Sequence, residues 1–185
     1  TVNTAVRQLV ERGDLEREQS EGLHLTEQGA QALEPYRVDN AIILAAGLST
    51  RFAPISYEKP KGLLRVRDEV LIERQIRQLK EAGIDDITVV VGYKKEYFFY
   101  LEELFDVRIV VNEHYAKRNN HSSLMAVLDK LGRTYVCSSD NYFVDNPFES
   151  HVYSAYYATQ YAQDATDEWC VHLGARNRIV GVTIG

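Results

Sequence analysis

From Asp39 onward, short apolar runs alternate with segments of helical period, and this alternation restricts the chain to few folds. Residues 41–45 read as a buried strand and 71–82 as an amphipathic helix closed by Gly83. Residues 86–91 follow as a strand, 96–105 as a helix, 107–111 as a strand, 122–131 as a helix and 134–138 as a strand. Strands joined by crossover helices predict an α/β fold with a mostly parallel, Rossmann-like central sheet. Such sheets bind ligands beyond the carboxyl ends of their strands. The loop that opens at Gly47 and the carboxylate of Asp140 both fall there.

The first strand runs into Leu44-Ala45-Ala46-Gly47-Leu48-Ser49-Thr50-Arg51-Phe52-Ala53-Pro54, and Pro60-Lys61-Gly62 follows. A loop of small residues lets backbone N–H groups approach a phosphate, since no side chain holds it away. Arg51 and Lys61 can then neutralise the bound charge. The pattern is not G-x-x-x-x-G-K-[ST], nor G-x-G-x-x-G, because Ser49 stands two residues after Gly47. A plain strand-loop with a solvated Arg and Lys is the competing reading, and it leaves the ordered combination of Ala-Ala-Gly, Arg, Pro and Pro-Lys unexplained.

Asp140 ends an apolar strand in Ser138-Ser139-Asp140-Asn141-Tyr142. A carboxylate there can hold Mg²⁺, which favours carboxylates together with substrate phosphates; an Asx turn is the alternative. Asn119-Asn120-His121-Ser122-Ser123 reads either as a helix start or as a polar cluster facing substrate. Trp169 is the only tryptophan, suited either to a core or to cation–π contact with a quaternary ammonium group. Tyr153, Tyr156, Tyr157 and Tyr161 alternate with small residues and suggest a strand.

Residues 1–38 read differently. Val2, Ala5, Val6, Leu9 and Val10 have helical spacing, and Gly13 stops that helix. Residues 15–25 suggest two short strands around a polar turn, and Thr26 caps a second helix. This order resembles the later half of a winged helix, which implies that the chain begins mid-domain: 1–38 a partial winged-helix module, 39–185 the α/β domain. Seven acidic residues, Glu18 and Glu21 among them, stand against four arginines and no lysine in 1–38. That balance opposes DNA binding and favours a docking or homo-oligomerisation role. Over all 185 residues the net charge is −6, no apolar run approaches the roughly 20 residues of a membrane span, and no signal peptide is visible. Cys137 and Cys170 lie far apart without companion ligands, as expected of buried thiols in a reducing cytoplasm.

The L-A-A-G-x-x-x-R-x-x-P…P-K order resembles the signature of nucleotidyltransferases that join NTPs to phosphorylated small molecules. Adding the 71–83 helix, D-I-T-V-V-V-G-Y, Asn119-Asn120, Asp140-Asn141-Tyr142 and 166–169, the stretch from Asn40 onward looks like bacterial CTP:phosphocholine cytidylyltransferases of the LicC type. That resemblance implies transfer of a cytidylyl group from CTP to phosphocholine, giving CDP-choline for surface polymers. It implies that Leu44, Ala45, Ala46, Gly47, Leu48, Ser49, Gly92 and Tyr93 bind nucleotide. Arg51 and Lys61 would act on the phosphates and Asp140 on Mg²⁺. Asn120, Tyr142 and Trp169 would face phosphocholine. Ser49 and Ser138 depart from the family's second loop glycine and from an acidic residue before the metal Asp, and a second metal carboxylate is expected from a part beyond residue 185. Two rival expectations remain. One is a nucleotidyltransferase for a sugar 1-phosphate or another phospho-alcohol. The other is a winged-helix regulator whose nucleotidyltransferase-like domain senses a ligand.

Overall fold

The computed structural model describes residues 1–185 except 19–21, 119, 162, 164 and 185, and the side chains of Glu18 and Arg51 are also outside the description. It divides into two compact units, Thr1–Tyr153 and Ser154–Gly185.

The first unit opens with helix α1 (Val2–Glu11), strands β1 (Leu15–Glu18) and β2 (Gly22–Leu25), and helix α2 (Glu27–Leu33). β1 and β2 pair antiparallel. Gly13, at φ 80°, ends the run of α1, a conformation that glycine adopts without strain. The Thr26 hydroxyl accepts the Gly29 N–H at 3.0 Å and donates to Gly13 O at 2.6 Å, so one side chain caps α2 and ties it to the turn after α1. Gly29 must be glycine, because a Cβ there would lie 2.1 Å from the Asp14 carbonyl oxygen.

The parallel sheet is built from β3 (Asn40–Ala45), β6 (Ile87–Val91), β7 (Arg108–Val111) and β8 (Thr134–Ser138), in the spatial order β7-β6-β3-β8. A small hairpin, β4 (Arg65–Val66) and β5 (Glu69–Val70), precedes helix α3 (Leu71–Glu81), and α4 (Tyr100–Phe105) and α5 (His121–Met125) supply the later crossovers. Period-two alternation sends Ala41, Ile43 and Ala45 to one face with Ile87, Val89 and Val91. That face packs on Ile72, Ile76 and Leu79 of α3, spaced i, i+4, i+7, and on Phe98 and Leu101. Each of these α3 side chains is fully buried and contributes about 1.5–3 kcal/mol. Ile42 and Val90 face the other way and meet Val127.

Both faces are thus covered, and the order reverses beside β3. The first two crossovers build outward through β6 to β7, and the third returns to β8 on the opposite edge of β3. This reversal leaves a crevice between the ends of β3 and β8, the switch point where open α/β sheets bind ligands.

Three sequence expectations change. The 122–131 helix is broken: α5 stops at Met125 and a separate 3₁₀ turn, Leu128–Lys130, follows. Between them Val127 leaves helical geometry (φ −133°, ψ 27°) and buries against Ile42 and Val90. The 96–105 helix begins as a 3₁₀ turn, Lys95–Phe98. Among its described residues the Tyr153–Tyr161 stretch forms no strand, and the four tyrosines are 59–97% exposed. The second unit contains one antiparallel hairpin, β9 (Trp169–Leu173) and β10 (Ile179–Ile184). No helix among the described residues is long and apolar enough to cross a membrane.

Candidate active site at the sheet switch point

A cavity of about 460 Å³ lies beyond the ends of β3 and β8. Of the residues the sequence singled out, Leu44, Ala45, Ala46, Gly47, Ser49, Lys61, Asn120 and Asp140 line it, joined by Thr50, Pro60, Gly62, Ser123, Ser138 and Ser139. The Ser139 N–H donates to Leu44 O at 3.2 Å and extends the β3–β8 pairing to the rim. From α3, buried Gln75 donates to Ser138 O at 3.2 Å and holds the end of β8.

Two glycines set the close approaches. A Cβ on Gly62 would stand 2.9 Å from Ser139 Cβ, so the Pro60–Gly62 turn lies directly against the β8 end. A Cβ on Gly92 would stand 2.6 Å from Tyr115 Cβ and 2.8 Å from Ala46 O. The turn after β6 therefore packs against the start of the Gly47 loop, and Tyr93 N–H donates to Ala46 O at 3.3 Å. Gly92 and Tyr93 support the loop from outside the cavity lining. At Gly47 itself a Cβ would meet nothing within 4 Å; its backbone faces open space. Ser49 sits in the left-handed region (φ 55°, ψ 31°), a conformation that explains the resemblance's expected glycine at this position.

Lys61 and Asp140 form the charged centre. Lys61 Nζ lies 3.3 Å from Asp140 Oδ2 and 4.5 Å from the centroid of the Phe52 ring. The Asp140 carboxylate is thus held by a cation from the neighbouring loop. Such a carboxylate, already complementary to positive charge and beside a phosphate-sized cavity, fits Mg²⁺ completed by substrate phosphates. Among the described residues no three His, Cys, Asp or Glu side chains gather as a metal-ligating group, and Asp140 is the acidic side chain lining the cavity.

The remaining expected residues are placed otherwise. Leu48 is 40% exposed and outside the lining. The Arg51 side chain and Asn119 lie outside the described residues. Tyr142 is also outside the lining: its ring lies 4.9 Å from the Arg74 guanidinium. The same guanidinium donates to Phe143 O at 2.9 Å and to Val144 O at 2.6 Å, fastening the segment after Asp140 to α3. Trp169 belongs to the second unit and is 70% exposed. Cys137, inside β8, is buried, and that burial pushes its thiol up to about 12.

Asn112 was missed by sequence reasoning. It follows directly on β7 and is buried, donating to Ser122 Oγ at 2.9 Å and Ser123 Oγ at 3.0 Å. The available signal was a polar residue at the carboxyl end of an apolar strand.

Comparison with known proteins agrees with this architecture. The chain is 43% identical over 144 residues to a choline-phosphate cytidylyltransferase of Streptococcus pneumoniae, covering 78% of this chain and 63% of that protein. It is 38% identical to a 2-aminoethylphosphonate cytidylyltransferase of Lancefieldella rimae, covering 79% of this chain and 61% of the relative. The solved structure of the CTP:phosphocholine cytidylyltransferase LicC from Streptococcus pneumoniae superposes with a TM-score of 0.76 at 42% identity, over 80% of this chain and 64% of that one. The chain therefore spans less than two thirds of the length of these relatives. The family described as MobA-like NTP transferase domain matches residues 41–178. With the parallel sheet, its reversal beside β3 and the Lys61–Asp140 cavity, the chain belongs to the MobA-like NTP transferase domain family.

Proposed function

We propose that the full protein is a cytidylyltransferase that transfers CMP from CTP to phosphocholine, giving CDP-choline and pyrophosphate for decoration of surface polymers. The observation that carries the chemistry is the Lys61–Asp140 pair inside a polar cavity at the switch point. The acceptor is supported by the 43% identity to a choline-phosphate cytidylyltransferase. An oxygen of the acceptor phosphate attacks the α-phosphorus in line, the α–β bridging P–O bond breaks, and pyrophosphate leaves. The second pKa of a phosphomonoester lies near about 6, so the nucleophile is already ionised and needs no general base. Two anions must meet, so positioning and charge neutralisation dominate. The bare backbone at Gly47 admits the phosphates, and Lys61 exchanges Asp140 for them. Mg²⁺, held by Asp140, would neutralise further charge on the phosphates. Arg51 would pair with the same phosphates, and Asn120, which lines the cavity, would face the phosphocholine. Both cysteines are free thiols, Cys137 buried as expected and Cys170 only half-buried, and their lack of pairing supports a reducing cytoplasm.

A second reading keeps the fold and mechanism with another acceptor, and the 38% identity to a 2-aminoethylphosphonate cytidylyltransferase favours it. The N-terminal part, residues 1–38, serves in this proposal as a winged-helix docking or dimerisation module. Its helix–ribbon–helix order supports the module, and its acidic balance opposes DNA. The test is pyrophosphate release by the full-length protein with each of the four NTPs and with phosphocholine, 2-aminoethylphosphonate or glucose 1-phosphate. Release with CTP and phosphocholine alone supports the proposal. Release with CTP and the phosphonate selects the second reading, and no release with any pair refutes both.

A further inference from the structure

The buried amide of Asn112 determines which way a hydroxyl in the cavity points its proton. Its Oδ1 accepts the backbone N–H of His114 at 2.9 Å. A backbone N–H can only donate, so this contact fixes which end of the amide is oxygen. The other end, Nδ2, spends its two hydrogens on Ser122 Oγ at 2.9 Å and Ser123 Oγ at 3.0 Å. A hydroxyl has one proton, and an oxygen that accepts from Asn112 must aim its own proton elsewhere. Ser123 is 3% exposed yet lines the cavity. Among the described residues no acceptor meets its proton. A buried donor without a partner is costly, and the cavity is where a partner can arrive.

We infer that Ser123 contacts the ligand, its O–H donating to an oxygen of the bound nucleotide, with Asn112 as the positioning residue that aims it. The inference rests on the nucleotide reading above and adds to it a donor outside the Gly47 loop and the Lys61–Asp140 pair. The acceptor is a phosphate oxygen or a carbonyl oxygen of the base, two sources of the same chemistry.

The test is CTP binding by calorimetry to the full-length protein and to Ser123→Ala, Asn112→Asp and the double variant. Ser123→Ala should weaken CTP about tenfold, the effect of one lost hydrogen bond to a polar or charged oxygen. Asn112→Asp is nearly isosteric, but a carboxylate only accepts, so it draws the Ser123 proton inward and should cause a similar loss. The added charge would also repel a triphosphate, and that effect would persist without the Ser123 hydroxyl. An effect routed through Ser123 leaves the double variant no weaker than Ser123→Ala alone. If Asn112→Asp melts early, Ser123→Ala decides the contact by itself. Inorganic triphosphate separates the sources: a matching loss assigns a phosphate oxygen, a loss with CTP only assigns the base carbonyl, and either supports the inference. Unchanged CTP affinity in Ser123→Ala overturns the inference and leaves the cytidylyltransferase reading intact. A wild-type protein that binds no CTP overturns both.

Discussion

Gly47 and Gly92 look alike in the sequence, each a glycine at the end of an apolar strand, but the structure gives them opposite sensitivities. An added Cβ at Gly92 would lie 2.6 Å from both Cβ and Cγ of Tyr115 and 2.8 Å from Ala46 O. Carbon–carbon contacts settle at about 3.5–4.0 Å, so the neighbours must give by about 1 Å. Tyr115 Cβ is fixed close to its backbone and Ala46 O is itself backbone, so no flexible side chain can absorb the shift. Overpacking of this kind costs about 1–3 kcal/mol. For a domain of this size that lowers Tm by roughly 2–12 °C in a thermal melt. The Ala46 carbonyl begins the Gly47 loop, so the displacement is passed to the cavity, and misplacement by about 1 Å can cost on the order of 10²-fold in turnover. At Gly47 the added Cβ meets nothing within 4 Å. Gly47→Ala should therefore leave Tm within about 2 °C, the scale of a surface change, while placing a methyl group where the proposed phosphates approach and weakening CTP binding. Gly92→Ala with wild-type Tm, or Gly47→Ala melting several degrees early, would refute the packing argument.

Ser49→Gly relieves a left-handed residue at φ 55° and should add about 1 kcal/mol, a rise of roughly 2–4 °C in Tm; a fall would show that the serine contributes a compensating contact. Lys61→Ala and Asp140→Asn should each lower kcat of the full-length protein about 10²-fold or more in the pyrophosphate assay, and full rate in either removes that residue from the mechanism. The Arg133 guanidinium, donating to Asp39 at 2.7 and 2.9 Å, holds that carboxyl below the usual carboxylate range. A depressed carboxyl stabilises the fold above its unfolded pKa of about 3.9 and loses that contribution as pH falls through the folded value. Asp39→Asn should therefore melt below wild type at pH 6 and converge with it under strong acid, whereas a gap that widens on acidification contradicts the assignment.

Much of the architecture can be read from periodicity, because the central strands and α3 are buried where pattern and packing agree. Ile72, Ile76 and Leu79 repeat at helical spacing and do bury on the sheet. Ala41–Ala45 is apolar enough to lie in the middle of the sheet, with neighbours on both sides. Periodicity fails where one long-range contact outweighs local preference. Val127 abandons helical geometry to fill the thin layer over Ile42 and Val90, so the expected helix is cut to α5. The β4–β5 hairpin turns through Arg67 and Asp68 at φ 50° and 64°, without the glycine or asparagine that would have announced it. Within the site, the Gly47 loop, Lys61 and Asp140 are legible because their chemistry is local to strand ends. Asn112 is not, since its importance comes from Ser122 and Ser123, ten and eleven residues on. Tyr142 carries a suitable ring, but only the fold reveals that Arg74 covers it.

The reversal of strand order beside β3 also bears on when the cavity comes into being. β3, α3 and β6 can associate over a short length of chain, but β8 must return across it: Asp39 and Arg133, clasped at its entry, are 94 residues apart, and Lys61 and Asp140 are 79 apart. Contacts of long sequence separation bear the largest loop-closure entropy and form late. The two walls of the cavity thus meet only when β8 pairs with β3. The nucleotide of the proposed reaction would bind only once that pairing is made, so it would act on the escape from the native state and not on the search for it. Saturating CTP should slow unfolding in denaturant while leaving the refolding rate nearly unchanged.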